Sequence, residues 1–541
     1  MSASPEKTGP QTAEGKRQPR LHGVVAIRLP GNHDGWPASP MDEAAVAFLD
    51  RAGAADVGDS GTREEELREV FSLWRAAGVV LALAALALAG RLCLYADEGS
   101  AWRFLVAGEE EQGDRASFLL PLYPKARGGG GVRAGASGRA AQNWTASVLP
   151  ITGNVFQNGQ YYTTISIGNP PRPYFLDVDT GSDWTWIQCD APCRSCAKGA
   201  HPLYRPARGN IIPSSDSFCQ EFPGNLKPGG TGSPNQCDYD LIYADGSSSL
   251  GVHARDNMQL ITEDGERKNL DIVFGCGYDQ QGNLLASLAN TDGILGLSGV
   301  TKSLPAQLAS KGIISNVFGH CMTTDPSGGG YLFLGDDYIP KWGMTWVPIP
   351  KRPDNIYSTE VQKVNYGDQH HSKRGLAGKL TRVIFDSGSE YTYFPREAYT
   401  NLIAVLKDVS PGFVQDDSDN ILPFCMKADF PLRSVNEVKH LFKPLSLQFK
   451  NRLFIFPRTF TIHPENYLII NDKGNVCLGV LEGTDILGSA ILLGDVSLRG
   501  KLFVYDNDES QIGWVQSDCT NPRKQSKIPL FLRRALRNQL L

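Results

Sequence analysis

The chain has no surplus of positive charge. Its 541 residues carry 53 Lys and Arg against 58 Asp and Glu, a formal net charge of −5. That balance asks for no nucleic-acid partner, which needs clustered cations to neutralise phosphate. Histidine is scarce, nine in all. His370-His371 lies in a polar stretch without ligand spacing and reads as a loop feature. Only one Cys-x-x-Cys word exists, Cys193 to Cys196. No second such word and no His-x3-His completes a zinc site, and no βαβ pattern surrounds it as a redox pair requires. The expectation is therefore no metal and no cofactor. Long apolar runs are also missing. The one extended Ala/Leu/Val run, Ala76 to Gly90, falls short of the ~20 residues of a spanning helix.

That run becomes adequate with its flanks, Phe71, Leu73 and Trp74 before it and Leu92 to Tyr95 after it, if Arg91 snorkels. It lies too deep for an ordinary cleaved signal peptide. A signal anchor over 71–96 is expected, against a buried helix or a late-cleaved signal. Arg63, Arg68 and Arg75 precede it and Arg91 and Arg103 follow, a weak orientation bias.

What the sequence does hold is Gly and Pro, 57 and 34 of them, around short apolar runs. That is the pattern of a mostly β chain. It also says nearly the same thing twice. Val178-Asp179-Thr180-Gly181-Ser182 is echoed 207 positions later by Phe385-Asp386-Ser387-Gly388-Ser389. Thr185 and Thr392 fall at the same offset from their aspartates. Apolar runs, Tyr174-Phe175-Leu176 and Val383-Ile384-Phe385, lead into each aspartate. Each Asp is therefore expected at the end of a buried strand, on a turn that Gly181 or Gly388 permits. Later in each half comes an apolar-apolar-Gly word, Ile294-Leu295-Gly296 and Leu492-Leu493-Gly494, 117 and 108 positions after its aspartate. Between Asp179 and the first of these words, Tyr243-Ala244-Asp245-Gly246-Ser247-Ser248 reads as a hairpin turn. Chance, or two ordinary Asp-Gly turns, would not repeat the flanking residues as well.

Two matched halves each presenting one carboxylate make a dyad. Two like charges ~3 Å apart repel by about 5 kcal/mol at an effective dielectric of ~20, so one carboxyl keeps a proton while the other ionises. Such a pair can activate a water and donate a proton, the two acts that peptide hydrolysis needs.

The words "YFLDVDTGSDWTWIQCDAPCRSC", "CDYDLIYADGSSSLGV", "FGCGYDQQG", "TDGILGLS", "FGHC" and "LPFC" carry a further likeness. From about Gln157 to Cys519 the chain resembles pepsin-like aspartic proteases, and within them the plant nucellin-like, nepenthesin-related group. Its long N-terminal tail and apolar segment resemble membrane-anchored members. The resemblance implies an all-β, bilobal fold with short helices, a cleft between lobes and an N-terminal transmembrane helix. It implies Asp179 and Asp386 as catalytic, with Thr180 and Ser387 bonded across the lobes and Ser182 and Ser389 bonded to the outer carboxylate oxygens. Tyr243 would sit on a flap, positioned by Trp186. On residue grounds alone, Tyr243 could equally be a cross-strand aromatic and Trp186 a core residue.

Ten of the eleven cysteines fall in the repeated region: Cys189, Cys193, Cys196, Cys219, Cys237, Cys276, Cys321, Cys425, Cys477 and Cys519. An even, confined set suggests disulfides and an oxidising compartment. The eleventh, Cys93, lies in the apolar segment. The resemblance pairs Cys425 with Cys477. The group commonly has Cys where Ser214 stands, so Cys219 is expected to bridge differently. The sequon at Asn143 agrees with a lumenal C-terminal side and type II topology.

The expected organisation is a cytosolic tail (1–70), the anchor (71–96), a stalk or pro-segment (97–155), two lobes (156–345 and 346–519) and a basic tail (520–541). Phe118-Leu119-Leu120 reads either as a short strand of the pro-segment or as a chance apolar patch. Protein or peptide substrates, a membrane contact and a monomer are expected. The competing reading is a non-catalytic binding or inhibitor protein on the same fold. Both aspartates, both following hydroxyl residues and Tyr243 are intact, which favours the enzyme.

Overall fold

The computed structural model describes residues 118–124, 161–220, 235–261, 267–287, 291–325, 329–367, 380–409, 412–419, 421–449 and 458–523. All of them belong to one compact unit. The apolar segment with Cys93, Asn143, His370-His371 and the last eighteen residues lie outside the described residues. Among the described residues no helix is long and apolar enough to cross a membrane. The N-terminal transmembrane helix expected from sequence therefore has no support here.

The described chain is mostly β with few, short helices, as the Gly- and Pro-punctuated apolar runs imply. Tyr161–Ile167 alternates buried and partly exposed residues over most of its length. Arg172–Asp179 instead runs buried at its C-terminal end. The reason is its place: it pairs antiparallel with Tyr161–Ile167 on one side and parallel with Gly293–Gly296 on the other, setting Asp179 opposite Gly296. Trp186–Gln188 then pairs antiparallel with Gly293–Gly296.

The second half repeats this crossing. Thr381–Phe385 runs parallel to Ile491–Leu493, with Phe385 opposite Leu493, and Thr392–Phe394 pairs with Ile491–Leu493 antiparallel. The doubled words are thus two copies of one device. A strand leads to an aspartate, the chain turns back, and an apolar-apolar-Gly strand is laid between the two arms. The glycine ending that strand has a steric reason. A Cβ on Gly296 would lie 2.5 Å from the Trp184 backbone, and one on Gly494 would lie 2.2 Å from the Tyr391 carbonyl oxygen.

Between the halves runs a shared sheet. Val317–Met322 pairs with Gly330–Leu334 on one side and with the late strand Lys501–Asp506 on the other. Gln511–Gln516 and Thr345–Pro348 extend it. Phe118–Pro124 fills the place between Gly330–Leu334 and Tyr161–Ile167. Of the two readings of Phe118-Leu119-Leu120, the strand is the one present, and Phe118, Leu120 and Leu122 are buried in the core. That core is continuous, running from these residues through Leu176 and Phe318 to Phe385, Phe460 and Phe503.

Five disulfides join the ten clustered cysteines: Cys189–Cys276, Cys193–Cys196, Cys219–Cys237, Cys321–Cys519 and Cys425–Cys477. Cys219 finds its partner 18 positions on, while Ser214 sits in a backbone pairing with Asn235. Cys321–Cys519 ties the shared sheet to the segment after Gln511–Gln516, across 198 positions.

Candidate active site

Each aspartate leaves its strand into a tight turn closed by its own carboxylate. Gly181 N donates to Asp179 Oδ1 at 2.8 Å, and Gly388 N donates to Asp386 Oδ1 at 3.0 Å. The two turns interlock. Thr180 N donates to Ser387 Oγ at 3.2 Å and Ser387 N donates to Thr180 Oγ1 at 3.0 Å. The same hydroxyls reach on, Thr180 Oγ1 to the Phe385 carbonyl at 3.1 Å and Ser387 Oγ to the Val178 carbonyl at 2.9 Å. Four reciprocal bonds across 205 to 209 positions hold the two carboxyls together. They are buried, so no water competes for them.

The outer oxygens are treated unequally. Ser389 Oγ donates to Asp386 Oδ2 at 2.6 Å. Ser182 lies beside Asp179, yet its Oγ and Asp179 Oδ2 are both buried without a well-formed hydrogen bond. Ser389 meets the role that sequence likeness gives both serines with a short hydrogen bond, while Ser182 acts on Asp179 without one, lowering its carboxyl against the effect of burial. Asp179 Oδ2 is thus an orphaned carboxylate oxygen at the centre of the site, and buried polar atoms of this kind need a partner.

Asp179 is 1 % exposed and Asp386 fully buried. Burial first, and the charge of Asp386 next, push the Asp179 carboxyl well above the usual carboxylate range, opposed by Ser182 and Gly181. Burial also raises Asp386, opposed by the donors Ser389 and Gly388. The pair titrates as a unit, and holding two anions there is unfavourable.

Over the dyad lies the hairpin of Asp238–Ile242 and Ser248–Ile261. Its turn is closed by Tyr243 N to the Ser247 carbonyl, and Asp245 Oδ1 accepts from Ser247 N and Oγ. Tyr243 is buried, and Trp186 Nε1 donates to its hydroxyl at 2.8 Å. Burial, then the charge of Asp179, raise the Tyr243 phenol, so it stays a neutral donor. The next residue, Ala244, packs against the cluster of Ile384, Tyr393, Leu422 and Leu481 in the other half. The hairpin is therefore closed across the cleft.

Sequence reasoning passed over Asp495, Ser298 and Ser497. Asp495, directly after the second apolar-apolar-Gly word, is buried with both carboxylate oxygens unpartnered. Burial and the charge of Asp386 raise it well above the usual range, against Arg499. Ser298 Oγ donates to Asp183 Oδ1 at 2.7 Å. Thr392 and Ser497 share a hydroxyl contact of 2.6 Å. The signal for Asp495 and Ser298 was available: each follows an apolar-apolar-Gly word by one or two positions. Among the described residues, the group placed to ligate a metal is Asp419, Cys425 and Cys477. Its two sulfurs are bonded to each other.

Two family models match the chain, one described as Xylanase inhibitor N-terminal over residues 161–336 and one as Xylanase inhibitor C-terminal over 360–516. An aspartic proteinase of Oryza sativa subsp. japonica is 38 % identical over 395 residues, covering 71 % of this chain and 94 % of that protein. The chain belongs to the pepsin-like aspartic proteinases of plants. Membership makes it an aspartic-type endopeptidase, a hydrolase. Aspartic proteinase 39 of Arabidopsis thaliana is 31 % identical, covering 70 % of this chain and 78 % of that one. Aspartic proteinase nepenthesin-2 of Nepenthes gracilis is 26 % identical, covering 67 % and 78 %. Among solved structures, the soybean basic 7S globulin superposes with a TM-score of 0.54 at 15 % identity, covering 75 % of this chain and all of that one. Conglutin gamma from lupine seeds gives 0.55 at 16 %, covering 76 % and 100 %. At such identities the globulins speak for the fold alone.

Proposed function

We propose that this proteinase hydrolyses peptide bonds by activating a water between Asp179 and Asp386, without a covalent intermediate. The observation that carries the reading is the buried pair itself, locked by four reciprocal bonds between the two turns. Each aspartate accepts from its own glycine, and the short Ser389 bond on Asp386 is the difference that favours the negative charge there and the shared proton toward Asp179. The ionised carboxyl takes a proton from the water, which attacks the scissile carbonyl. The protonated carboxyl donates to the developing tetrahedral oxygen, and a proton passes to the leaving nitrogen. Substrate enters when the Tyr243 hairpin lifts from the Ala244 contact, and closure then excludes bulk water.

A single chain supplies both aspartates, so a monomer suffices. Five disulfides support an oxidising compartment. The location read from sequence, a type II membrane protein of the secretory system with its protease portion lumenal or extracellular, is kept as part of the proposal.

A second reading has a specific observation in its favour: the matching models are named for xylanase inhibitors. The chain would then be a binding protein on a protease fold. The intact dyad, grip and Tyr243–Trp186 bond favour catalysis. The test is a peptide-library cleavage assay on wild type, Asp179→Asn and Asp386→Asn, with xylanase inhibition measured on the same samples. Wild type should cleave, and each mutant should lose about a thousandfold or more in kcat while keeping its melting temperature. Undiminished cleavage by either mutant overturns the mechanism. Xylanase inhibition without cleavage supports the second reading.

A further inference from the structure

Four of the five disulfides are sealed in the fold. Cys189, Cys276, Cys321, Cys425 and Cys477 are fully buried, and Cys219, Cys237 and Cys519 are no more than 3 % exposed. The fifth, Cys193–Cys196, is open to water. Cys193 is exposed between exposed Pro192 and Arg194, and Cys196 is half-buried. It also closes the shortest loop. Its cysteines stand 3 positions apart, against 18, 52, 87 and 198 for the others. A cross-link steadies a fold more the longer the chain it closes, so this one contributes least to holding the chain folded. Thiol–disulfide exchange needs a sulfur that a thiolate can reach, and among the described cysteines Cys193 is the one that offers it.

What the pair does hold is a turn. Trp186–Gln188 pairs parallel with Arg267–Gln281, and the chain takes that pairing up again at Ser195, opposite Asp279. Arg194 N donates to the Tyr278 carbonyl at 2.7 Å and Gln280 N donates to the Ser195 carbonyl at 2.7 Å. The Arg194 guanidinium lies over the Tyr278 ring at 5.3 Å. The opposite edge of the same strand carries the Tyr243 hairpin: its Leu250, Ser249 and Ser248 stand opposite Asp279, Gln280 and Gln281. The 193–196 turn and the hairpin thus hold one strand end from two sides.

We propose that Cys193–Cys196 is a reversible thiol-exchange site, opened at Cys193 Sγ by a small thiol of the glutathione class, and that opening it loosens the strand end against which the Tyr243 hairpin is set. The small thiolate bonds Cys193 Sγ, the Cys193–Cys196 bond breaks, and Cys196 leaves as a thiolate that takes up the proton the small thiol lost. A second thiolate attacks the small-molecule sulfur of the mixed disulfide. Cys193 is freed and the small thiol departs as its oxidised dimer, so two thiols are oxidised and one disulfide is reduced. The site receives exchange; it is not an oxidoreductase centre.

The test treats the native full chain with reduced glutathione, blocks free thiols with N-ethylmaleimide and maps them by mass spectrometry. Cys193 and Cys196 should be labelled about tenfold faster than the cysteines of the other four disulfides. In Cys196→Ser, oxidised glutathione should cap Cys193. In Cys193→Ser it should cap the half-buried Cys196 about fivefold more slowly. Reduction should lower kcat for peptide cleavage about threefold, with the melting temperature within about 3 °C, and oxidised glutathione should restore it. The double variant Cys193→Ser/Cys196→Ser should have the kcat of the reduced chain and no response to glutathione. Three results each overturn the proposal: another disulfide opening as fast, a kcat unmoved by reduction, or a double variant that answers glutathione as wild type does. If the double variant does not fold, the wild type's own cycle of reduction and reoxidation decides, by labelling and kcat together. A wild-type chain that cleaves nothing sinks the endopeptidase reading, and the labelling order then decides alone: equal labelling of all five disulfides overturns the site.

Discussion

Ser182 and Ser389 occupy equivalent places in the two words and do unequal work. A donor aimed at a carboxylate oxygen favours the ionised form, and Ser389 gives Asp386 such a bond at 2.6 Å. Ser389→Ala should therefore move the acid limb of the kcat/KM profile upward by about one pH unit, the worth of a charge-assisted hydrogen bond. Ser182→Ala should move it upward by less, since Ser182 lowers the Asp179 carboxyl without a well-formed bond. Equal shifts in the two variants would contradict the asymmetry. At this scale the sequence was most informative where chemistry is local. Asp179, Asp386 and their following hydroxyls announce themselves within five residues. The buried contact of His320 Nε2 with the Tyr505 hydroxyl does not, because it spans 185 positions and leaves no local pattern. His320 stood in plain view inside the word "FGHC", but a lone buried histidine has no signature until its partner is known.

Among the elements, the short strands Gly293–Gly296 and Ile491–Leu493 set the two aspartates by passing between the arms of each turn. Their spacing was legible as two apolar-apolar-Gly words, though not the reason for the glycine. That reason is backbone proximity. A Cβ on Gly494 would meet the carbonyl oxygens of Tyr391 at 2.2 Å and Ser389 at 2.6 Å, and neither can swing aside as a side chain would. Gly494→Ala should cost about 3 kcal/mol or more in denaturant unfolding and lose activity with it. Gly209→Ala, where nothing lies within 4 Å, should stay within about 0.5 kcal/mol. A tolerated Gly494→Ala would mean that the strand crossing is loose. The disulfide partners, apart from Cys425–Cys477, could not be read in advance. Pairing follows from which strands are neighbours, and strand order is a long-range property.

For the whole molecule, buried carboxyls dictate a pH response. Asp179, Asp386 and Asp495 all titrate above the ordinary carboxylate value of 3.8. The folded chain thus keeps protons that the unfolded chain releases. Their contribution is fully present below that ordinary value and is lost as pH rises through the folded values. Asp419 and Glu482 are shifted down and act oppositely, losing their contribution as pH falls below about 4. His253 and His320, lowered by burial to about 4 and about 3, act against the carboxyls, since below about 6.5 the unfolded imidazoles bind protons that the folded ones do not. The melting temperature between about pH 4 and about 7 therefore reads the balance, and Asp495→Asn, which cannot ionise, should make its slope with rising pH more positive than that of wild type. An unchanged slope would show that Asp495 keeps its proton throughout the range.

The strand Phe118–Pro124 separates two notions of a domain. Descent is traced by the matched region, which begins at residue 161. Folding is not: the shared sheet takes a strand from before that point and buries Phe118, Leu120 and Leu122 in the common core. A gene fragment begun at the first matched residue would encode a sheet with a slot in it. A cut anywhere in the 36 residues from 125 to 160 would leave two polypeptides sharing one interior, and the shorter would be a subunit of the enzyme and no longer its leader.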